Sequence, residues 1–223
     1  NVAHITIFFS LFEDLKIPHF QISQYLVNNN IKPFLKMQNS HTVVINKSYF
    51  QNLFMVQIYN VNQLLVNSSI FRNCICALRI KGNIYLNSIL HITKTHFLKN
   101  TCYLKQASLS FNFAPTRGKQ MYLKQSKIFI KLTAALFKKS GFVANGQGGA
   151  LSISYSVNDT LSNVMKAQNL NITCSILSTL FINNTSAQFG GAVTISNIHL
   201  VETKENYFVY NSHYNSATHG GAV

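Results

Sequence analysis

Carboxylates, the side chains that most often carry out hydrolysis, are few and widely separated in this 223-residue chain. The five acidic residues are Glu13, Asp14, Asp159, Glu202 and Glu205. Glycoside hydrolysis needs two carboxyl groups that face one another, and calcium-assisted cleavage needs clustered acids. Residues an odd number of positions apart in a strand point to opposite faces, so neither the adjacent pair Glu13 and Asp14 nor Glu202 and Glu205, three positions apart, forms such a site. The sequence disfavours a polysaccharide-cleaving enzyme, and we expect no catalytic residue, metal or cofactor.

The cysteines and histidines do not have the spacing of a metal site. Two of the four cysteines lie two residues apart, which would place both on one face of a strand. One or two disulfides are expected in an oxidising compartment, and buried free thiols are the alternative. The candidates are Cys74, Cys76, Cys102 and Cys174.

Asparagine supplies the candidate modification sites. Sequons of the type Asn-x-Ser/Thr begin at Asn46, Asn67, Asn158, Asn171, Asn183 and Asn184. The last two overlap, so only one of them is expected to carry sugar. Two or three glycans are expected on a chain secreted by a eukaryote, because a secreted solenoid presents its outer face to solvent. Any asparagine that points inward would instead be an unmodified structural residue.

The charge balance is strongly basic, with 19 Lys and Arg against 5 acids and a net charge of +14. Such a surface attracts polyanions, although a biased genome that enriches Asn, Lys and Ile would give the same excess. One segment combines bases with aromatic residues and could hold an anionic polymer. Its bases are Arg117, Lys119, Lys124, Lys127, Lys131, Lys138 and Lys139. A solvated outer face or an insertion loop is the interpretation that we favour.

The elements that position these residues come from an internal repeat. A Ser or Thr, an aromatic residue two positions later and then Asn recur along the chain. The aromatic positions are Phe50, Phe71, Phe97, Phe142, Phe181 and Phe208. The two longest steps, on either side of Phe142, are close to double the shortest, so each is expected to contain a degenerate copy or a loop.

Paired glycines follow the later copies of this repeat. They are Gly148-Gly149, Gly190-Gly191 and Gly220-Gly221, each followed by Ala and then Leu or Val. Glycine used at a fixed place in a repeat indicates a positive φ or a close approach between backbones. Short alternating runs rich in β-branched residues precede the aromatic positions, as is typical of β-strands.

Repeats of two or three short strands bury a core only by stacking on one another. The sequence therefore predicts an all-β fold, a right-handed parallel β-helix of about nine or ten coils at roughly 23 residues each. Residues 1–40 are expected to form degenerate coils or a cap, and residues 41–223 the repeats, which continue beyond both ends of the chain. A sandwich or barrel is disfavoured, because only Asn145-Gly146 matches a hairpin turn.

These motifs resemble those of a known family. Phe-x-x-Asn followed by Gly-Gly-Ala is similar to the repeat of chlamydial polymorphic outer membrane proteins and of large ciliate and protist surface proteins. The resemblance is strongest over Phe142–Leu151, Phe181–Val193 and Phe208–Val223. Between residues 43 and 100 the Gly-Gly-Ala half is missing. The resemblance implies a parallel β-helix with a role in adhesion or surface coating, and no catalytic residues.

The sequence thus predicts a structural or adhesive extracellular protein, a glycosylated rod. Its expected partners are copies of itself, other surface or fibre proteins, N-linked glycans and anionic polysaccharide. Nucleic acid is not an expected partner. An intracellular scaffold or a binding module for an anionic polymer is the alternative. No apolar run approaches the roughly 18 residues that a membrane-spanning helix needs.

Overall fold

The structure, a computed structural model, is built from parallel β-strands. It describes residues 4–13, 33–83, 87–102, 107–114, 126–142, 149–155, 170–186, 190–196 and 198–213. Every strand pair within these residues is parallel, and they contain no helix. The described part of the chain is therefore all-β, and its stacked strands are consistent with a parallel β-helix.

Three large sheets run along the stack, and two short pairs lie beside them. The first sheet contains, in order, β1 (His4–Phe8), β4 (Thr42–Asn46), β7 (Gln63–Asn67), β10 (Ser88–Thr93), β14 (Ser126–Thr133), β18 (Leu170–Leu177) and β22 (Leu200–Lys204). The second contains β2 (Leu11–Glu13), β5 (Tyr49–Gln51), β8 (Ile70–Arg72), β11 (His96–Leu98), β15 (Leu136–Lys138), β19 (Leu180–Ile182) and β23 (Tyr207–Val209). The third contains β3 (Leu35–Gln38), β6 (Val56–Tyr59), β9 (Leu78–Asn83), β13 (Leu109–Ala114), β17 (Leu151–Tyr155) and β21 (Val193–Ser196). The short pairs are β12 (Thr101–Cys102) with β16 (Gly141–Phe142) and β20 (Thr185–Ser186) with β24 (Ser212–His213).

Alternation of side chains along each strand creates the core. In β4, Val43 and Ile45 are fully buried while the residues beside them are partly exposed. The parallel register then places apolar residues of neighbouring strands side by side. Val43 lies beside Leu64 of β7, and Ile45 lies beside Val66. A single apolar core results, and its β-branched and leucine side chains come from successive layers.

A column of stacked phenylalanine rings runs through the second sheet. Its neighbouring ring centroids are 4.6 to 5.1 Å apart, and adjacent planes lie within 8° of one another. The members are Phe12, Phe50, Phe71, Phe97, Phe137, Phe181 and Phe208. The centroid separations match the spacing of paired strands, so the in-register ladder itself imposes the stack.

The assignment of Phe142 to this column is wrong. Phe137 pairs with Phe97 on one side and with Phe181 on the other, whereas Phe142 lies in β16 and pairs with Cys102. The step from Phe97 to Phe142 therefore contains a degenerate copy, at Phe137. The steps from Phe97 to Phe137 and from Phe137 to Phe181 each cross one layer and include inserted chain. Within the described residues, the first two sheets have seven strands each, whereas a uniform repeat of about 23 residues predicts nine or ten coils over the whole chain.

The turns between the first and second sheets share one backbone conformation. Each contains a non-glycine residue with φ between 48° and 56°. These residues are Phe9, Lys47, Ser68, Lys94, Ala134, Ser178 and Glu205. A second series follows the second sheet at Asn52, Asn73, Lys99, Lys139, Asn183 and Tyr210. Asparagine tolerates this left-handed region better than most residues, which explains part of its abundance at the second series.

Buried asparagines and hydroxyls link successive layers behind these turns. The Asn184 amide donates through Nδ2 to the Phe137 carbonyl at 3.1 Å, and its Oδ1 accepts from the Ser140 backbone N–H at 3.0 Å. Asn100 makes the same two contacts with the Phe71 carbonyl and the Cys74 N–H. Each amide satisfies a donor and an acceptor that the strand ladder leaves open, so these positions are structural.

The paired glycines mark a close approach of backbones where they are described. A Cβ on Gly149 would lie 2.1 Å from the Thr185 carbonyl oxygen and 2.6 Å from that of Gly191. Gly190 has a φ of +36°, and a Cβ there would lie 2.0 Å from the Val193 carbonyl oxygen. Gly148, Gly220 and Gly221 lie outside the described residues.

Candidate functional site

The candidate glycosylation sites at Asn46 and Asn67 lie on adjacent strands of the first sheet. The Asn67 Nδ2 donates to Asn46 Oδ1 at 3.1 Å, and Asn67 Oδ1 accepts from the Thr93 hydroxyl at 2.9 Å. Both side chains are partly exposed. A glycan is attached through Nδ2, so modification of Asn67 would compete with its contact to Asn46. Asn46, Asn67 and Thr93 thus form an outer polar ladder across three layers.

The overlapping sequons at Asn183 and Asn184 differ sharply in exposure. Asn183 is exposed, in a turn with φ of 50°. Asn184 is completely buried, and its amide also donates to Asn211 Oδ1 at 2.9 Å. A sugar on Asn184 could not be accommodated without breaking the interior ladder. Of this pair, only Asn183 offers an accessible amide in the folded protein.

Two further sequons lie partly or wholly beyond the described structure. Asn158 lies outside the described residues. Asn171 belongs to β18, where its backbone pairs with Lys127 of β14. Nothing further is described of its side chain.

The three cysteines whose side chains are described are buried in the interior. Cys74 and Cys174 are buried free thiols, and Cys76 is also buried. Burial raises the pKa of the Cys74 thiol to about 11 and that of Cys174 to about 12. Both therefore stay protonated and are poor nucleophiles at neutral pH. The expectation of a disulfide finds no support among the described cysteine side chains, which exclude that of Cys102.

The basic segment that could hold an anionic polymer does not lie on a single face where it is described. Lys127 and Lys131 lie on the outer face of the first sheet, in β14. Lys138 lies in the second sheet, and Lys139 occupies the left-handed turn that follows it. The turn at Ala134, with φ of 51°, separates the two groups. Arg117, Lys119 and Lys124 lie outside the described residues.

A different group of cations lies on the outer side of the third sheet. Lys36 pairs with Gln57, and Gln57 pairs with Arg79, so these residues form one line across β3, β6 and β9. Lys81 follows on the same face of β9. Burial lowers the pKa of Lys81, and the positive charges of Arg79 and Lys36 lower it further. Sequence reasoning missed this group because its members are far apart in the chain and only the sheet register brings them together.

His91 lies among apolar and basic neighbours on the first sheet. It pairs with Leu65 and Lys131, and its ring centroid is 5.9 Å from that of Phe129. Burial lowers the pKa of His91, and the positive charge of Lys131 lowers it further. The imidazole is therefore neutral at pH 7. No group of three or more His, Cys, Asp or Glu side chains suited to a metal occurs within the described residues.

The described carboxylates lie at opposite ends of the stack. Glu13 belongs to β2 in the first layer and accepts a hydrogen bond from Gln51 at 2.9 Å. Glu202 and Glu205 belong to the last layer, where they accept from Ser175 and Ser178. Asp14 and Asp159 lie outside the described residues. The long stack separates the acids of the first and last layers.

Comparisons with protein-family models, with curated proteins and with solved structures found no match for this chain. Within the described residues, no helix is long and apolar enough to cross a membrane.

Proposed function

We propose that this protein is a non-enzymatic structural or adhesive component of an extracellular surface or fibre. The observation that carries the proposal is the phenylalanine column, which continues from Phe12 to Phe208 through every layer of the second sheet. At equivalent positions, buried rings stack and buried amides and hydroxyls form hydrogen bonds between successive layers. Such a ladder gives a stiff element whose outer faces remain available for contact.

The fold we propose in full is a right-handed parallel β-helix. Strands that return to the same sheet in parallel are connected with right-handed geometry in about 98 % of known cases. Seven strands spaced by about 4.8 Å give a rod of roughly 30 Å for the described layers. The similarity of the repeat to that of bacterial and protist surface proteins agrees with this fold and with a surface role.

Secretion and glycosylation form a second part of the proposal. Asn183 supports it, because its exposed turn position leaves the amide free to carry a sugar without loss of interior contacts. The outer ladder of Asn46 and Asn67 is less suitable because its amides bond to one another. We expect Asn183 to be the principal site among the described sequons.

Association of the outermost described layers with a further layer, which includes self-association, is the third part of the proposal. The last layer exposes Leu200, Tyr207 and Phe208 at 57 %, 67 % and 40 %. At the other end, Phe8 and Leu11 are exposed at 50 % and 67 %. We propose that a further coil of the same repeat covers these layers, whether from the same polypeptide or from a second copy, because its strands would extend both the hydrogen-bond ladder and the ring column.

The experiment that tests the proposed role is surface labelling of the native protein in its cell of origin, with imaging of the particle. We expect a membrane-impermeant reagent to label it, peptide mass spectrometry to find sugar at Asn183, and images to show rods or fibres. A protein protected from the reagent, with bare asparagines throughout, would overturn the extracellular proposal and favour an intracellular scaffold.

A binding module for an anionic polymer is the second candidate function. The net charge of +14 supports it, as does the grouping of cations on the third sheet. Binding that weakens steeply with salt would support this candidate. Absence of any binding to polyanions at low salt would eliminate it.

A further inference from the structure

The outer face of the second sheet carries a row of mostly apolar side chains. Each strand of this sheet has three residues, of which the central phenylalanine points inward and the other two point outward. The first outward residues of β5, β8, β11, β15 and β19 pair in register and are partly exposed. We call them the outer row, and they are Tyr49, Ile70, His96, Leu136 and Leu180. By contrast, the outward positions that β13 and β17 pair in the third sheet hold only serine and asparagine.

Exposed cations lie on both sides of the outer row. Two lie in the turns that precede the strands, two at the ends of the strands and two in the turns that follow. In that order they are Lys47 and Lys94, Arg72 and Lys138, and Lys99 and Lys139. They belong to the four layers of β5, β8, β11 and β15, so they lie within three strand spacings, about 14 Å, along the stack. Positive charge therefore borders the outer row on both edges.

These six charges are not neutralised by carboxylates. The sequence contains no acidic residue between Asp14 and Asp159. Among the described residues none of the six forms an ion pair, and the pair that is described, between Lys204 and Glu205, lies in the last layer. A second copy of the chain facing this surface with the same surface would be repelled, whereas an anionic partner would be attracted.

Apolar and cationic side chains together indicate the class of anionic partner. Basic residues attract acidic lipid headgroups, and apolar side chains between them enter the boundary between headgroups and acyl chains. An anionic polysaccharide would bind the cations but would gain little from Ile70 and Leu136. Single-stranded nucleic acid stacks its bases on a series of aromatic side chains, whereas Ile70 separates the rings of Tyr49 and His96. The combination therefore favours an anionic bilayer.

We propose that the outer face of the second sheet, formed by the outer row and its six bordering cations, docks on the surface of an anionic lipid bilayer. The rod lies along the membrane, so that successive layers touch the headgroups together. This inference goes beyond the proposed function and is independent of secretion, because it requires only acidic lipid. Asn183 lies in the turn after β19, one layer beyond the last cations, so a sugar there lies outside the cationic borders.

The test is cosedimentation of the full chain with lipid vesicles. Binding is expected to phosphatidylcholine vesicles that contain about 30 % phosphatidylserine, to weaken as salt rises, and to be absent with phosphatidylcholine alone. Lys94→Gln/Lys99→Gln/Lys139→Gln is expected to bind about tenfold or more weakly, since each basic residue near an anionic surface contributes about fivefold. Equal binding to neutral and anionic vesicles, or no binding to either, would overturn the proposal.

The matched control for charge is Lys36→Gln/Lys127→Gln/Lys131→Gln, which removes the same charge from the other two sheets. Its affinity for the anionic vesicles is expected to stay close to that of the unaltered chain. A control that loses as much affinity as the first triple variant would overturn the assignment to the second sheet. Binding of heparin without binding to any vesicle would identify an anionic polymer as the partner and overturn the bilayer.

The apolar contact is tested by tryptophan fluorescence, because the chain contains no tryptophan of its own. Leu136→Trp places a single indole in the outer row, and its emission is expected to shift to the blue on anionic vesicles and to be quenched by brominated lipid. The matched control is Ile89→Trp, on the outer face of the first sheet and 49 % exposed in the native chain, whose emission is expected to stay unchanged. Vesicle binding that leaves the Leu136→Trp emission unshifted, or shifts both variants equally, would overturn docking through this face.

Discussion

The ring of Phe97 stacks on the ring of Phe137 with centroids 4.8 Å apart and planes inclined by 5°. The chain between these residues is much longer than the chain between Phe71 and Phe97, yet the two steps have nearly the same geometry. The spacing of layers is therefore independent of the number of residues between successive copies of the repeat. The strands on either side of an insertion keep their register.

Replacement of Phe137 tests this column at the layer that the sequence misassigned. Phe137→Ala removes a completely buried ring from between two others and is expected to lower the free energy of unfolding by about 3–5 kcal/mol. The measurement is urea denaturation followed by circular dichroism. The control is Phe129→Ala, since Phe129 faces outward and is 38 % exposed. A large loss for Phe142→Ala with little loss for Phe137→Ala would contradict the register.

The neighbouring asparagines of the overlapping sequon should respond in opposite ways. Asn184→Ala leaves the Ser140 N–H and the Phe137 carbonyl without their side-chain partner, and is expected to cost about 2–4 kcal/mol. Asn183→Ala affects only the left-handed turn and is expected to cost about 1 kcal/mol. Thermal or urea unfolding measures both. Asn183→Gln is expected to abolish glycosylation of the pair, and persistent sugar on that variant would refute the proposed accessible site.

Stability should depend on pH through His91. Burial and Lys131 lower its pKa below the ordinary value of 6.5, so the unfolded chain binds a proton that the folded chain resists. The contribution of His91 to the free energy of unfolding is therefore fully present above pH 6.5. It is lost as the pH falls through the pKa of the folded state. His91→Gln is expected to remove this component between pH 8 and 5.5, and Lys131→Gln to reduce it. A pH profile unchanged by His91→Gln would show that another group is responsible.

The exposed apolar side chains of the last described layer predict concentration-dependent assembly of the isolated 223-residue chain. Phe208→Lys places a charge at the open end of the ring column and is expected to reduce self-association, measured by sedimentation velocity. Phe129→Lys changes a residue of similar exposure in the middle of the stack and serves as the control. Equal loss of assembly in both variants would mean that copies associate side by side rather than end to end.

Much of the architecture could be predicted because layers repeat the same chemistry. Phe50, Phe71, Phe97, Phe181 and Phe208 recur with a hydroxyl residue or an asparagine before them, and all five lie in one column. In the layer of Phe137, Ala135 replaces the Thr found at positions 95 and 179, and Ser140 replaces the buried asparagine. The residues around Phe142 match the repeat motif better than those around Phe137 do. Only the strand pairing shows that Phe137 is the one in the column.

The candidate sites were harder to predict for a related reason. Periodicity along the chain indicates that a residue faces outward, but the partners of that residue lie one layer away, at a distance in sequence that insertions change. The cations at Lys36, Arg79 and Lys81 come together through Gln57 pairing, which no local pattern reveals. The overlapping sequons show the same limit. The sequence does not reveal which asparagine faces solvent, whereas in the structure Asn183 is exposed and Asn184 is buried.

The most direct test of the stacked register is a distance measured between turns of successive layers. The left-handed turn at Lys47 is followed, layer by layer, by those at Ser68, Lys94, Ala134, Ser178 and Glu205. Nitroxide labels at Lys47 and Glu205, with the native cysteines replaced by alanine, can be measured by double electron–electron resonance. One layer for each step predicts about 24 Å between the two turns.

Coils of uniform length would instead place about seven layers between the labels and give about 34 Å. A second pair at Phe9 and Glu205 adds one layer and is expected to be about 5 Å longer than the first. Distances near 24 Å and 29 Å would establish that one strand of each sheet is added per layer whatever the length of inserted chain. Distances near 34 Å, or equal distances for the two pairs, would contradict the stacking of like residue on like.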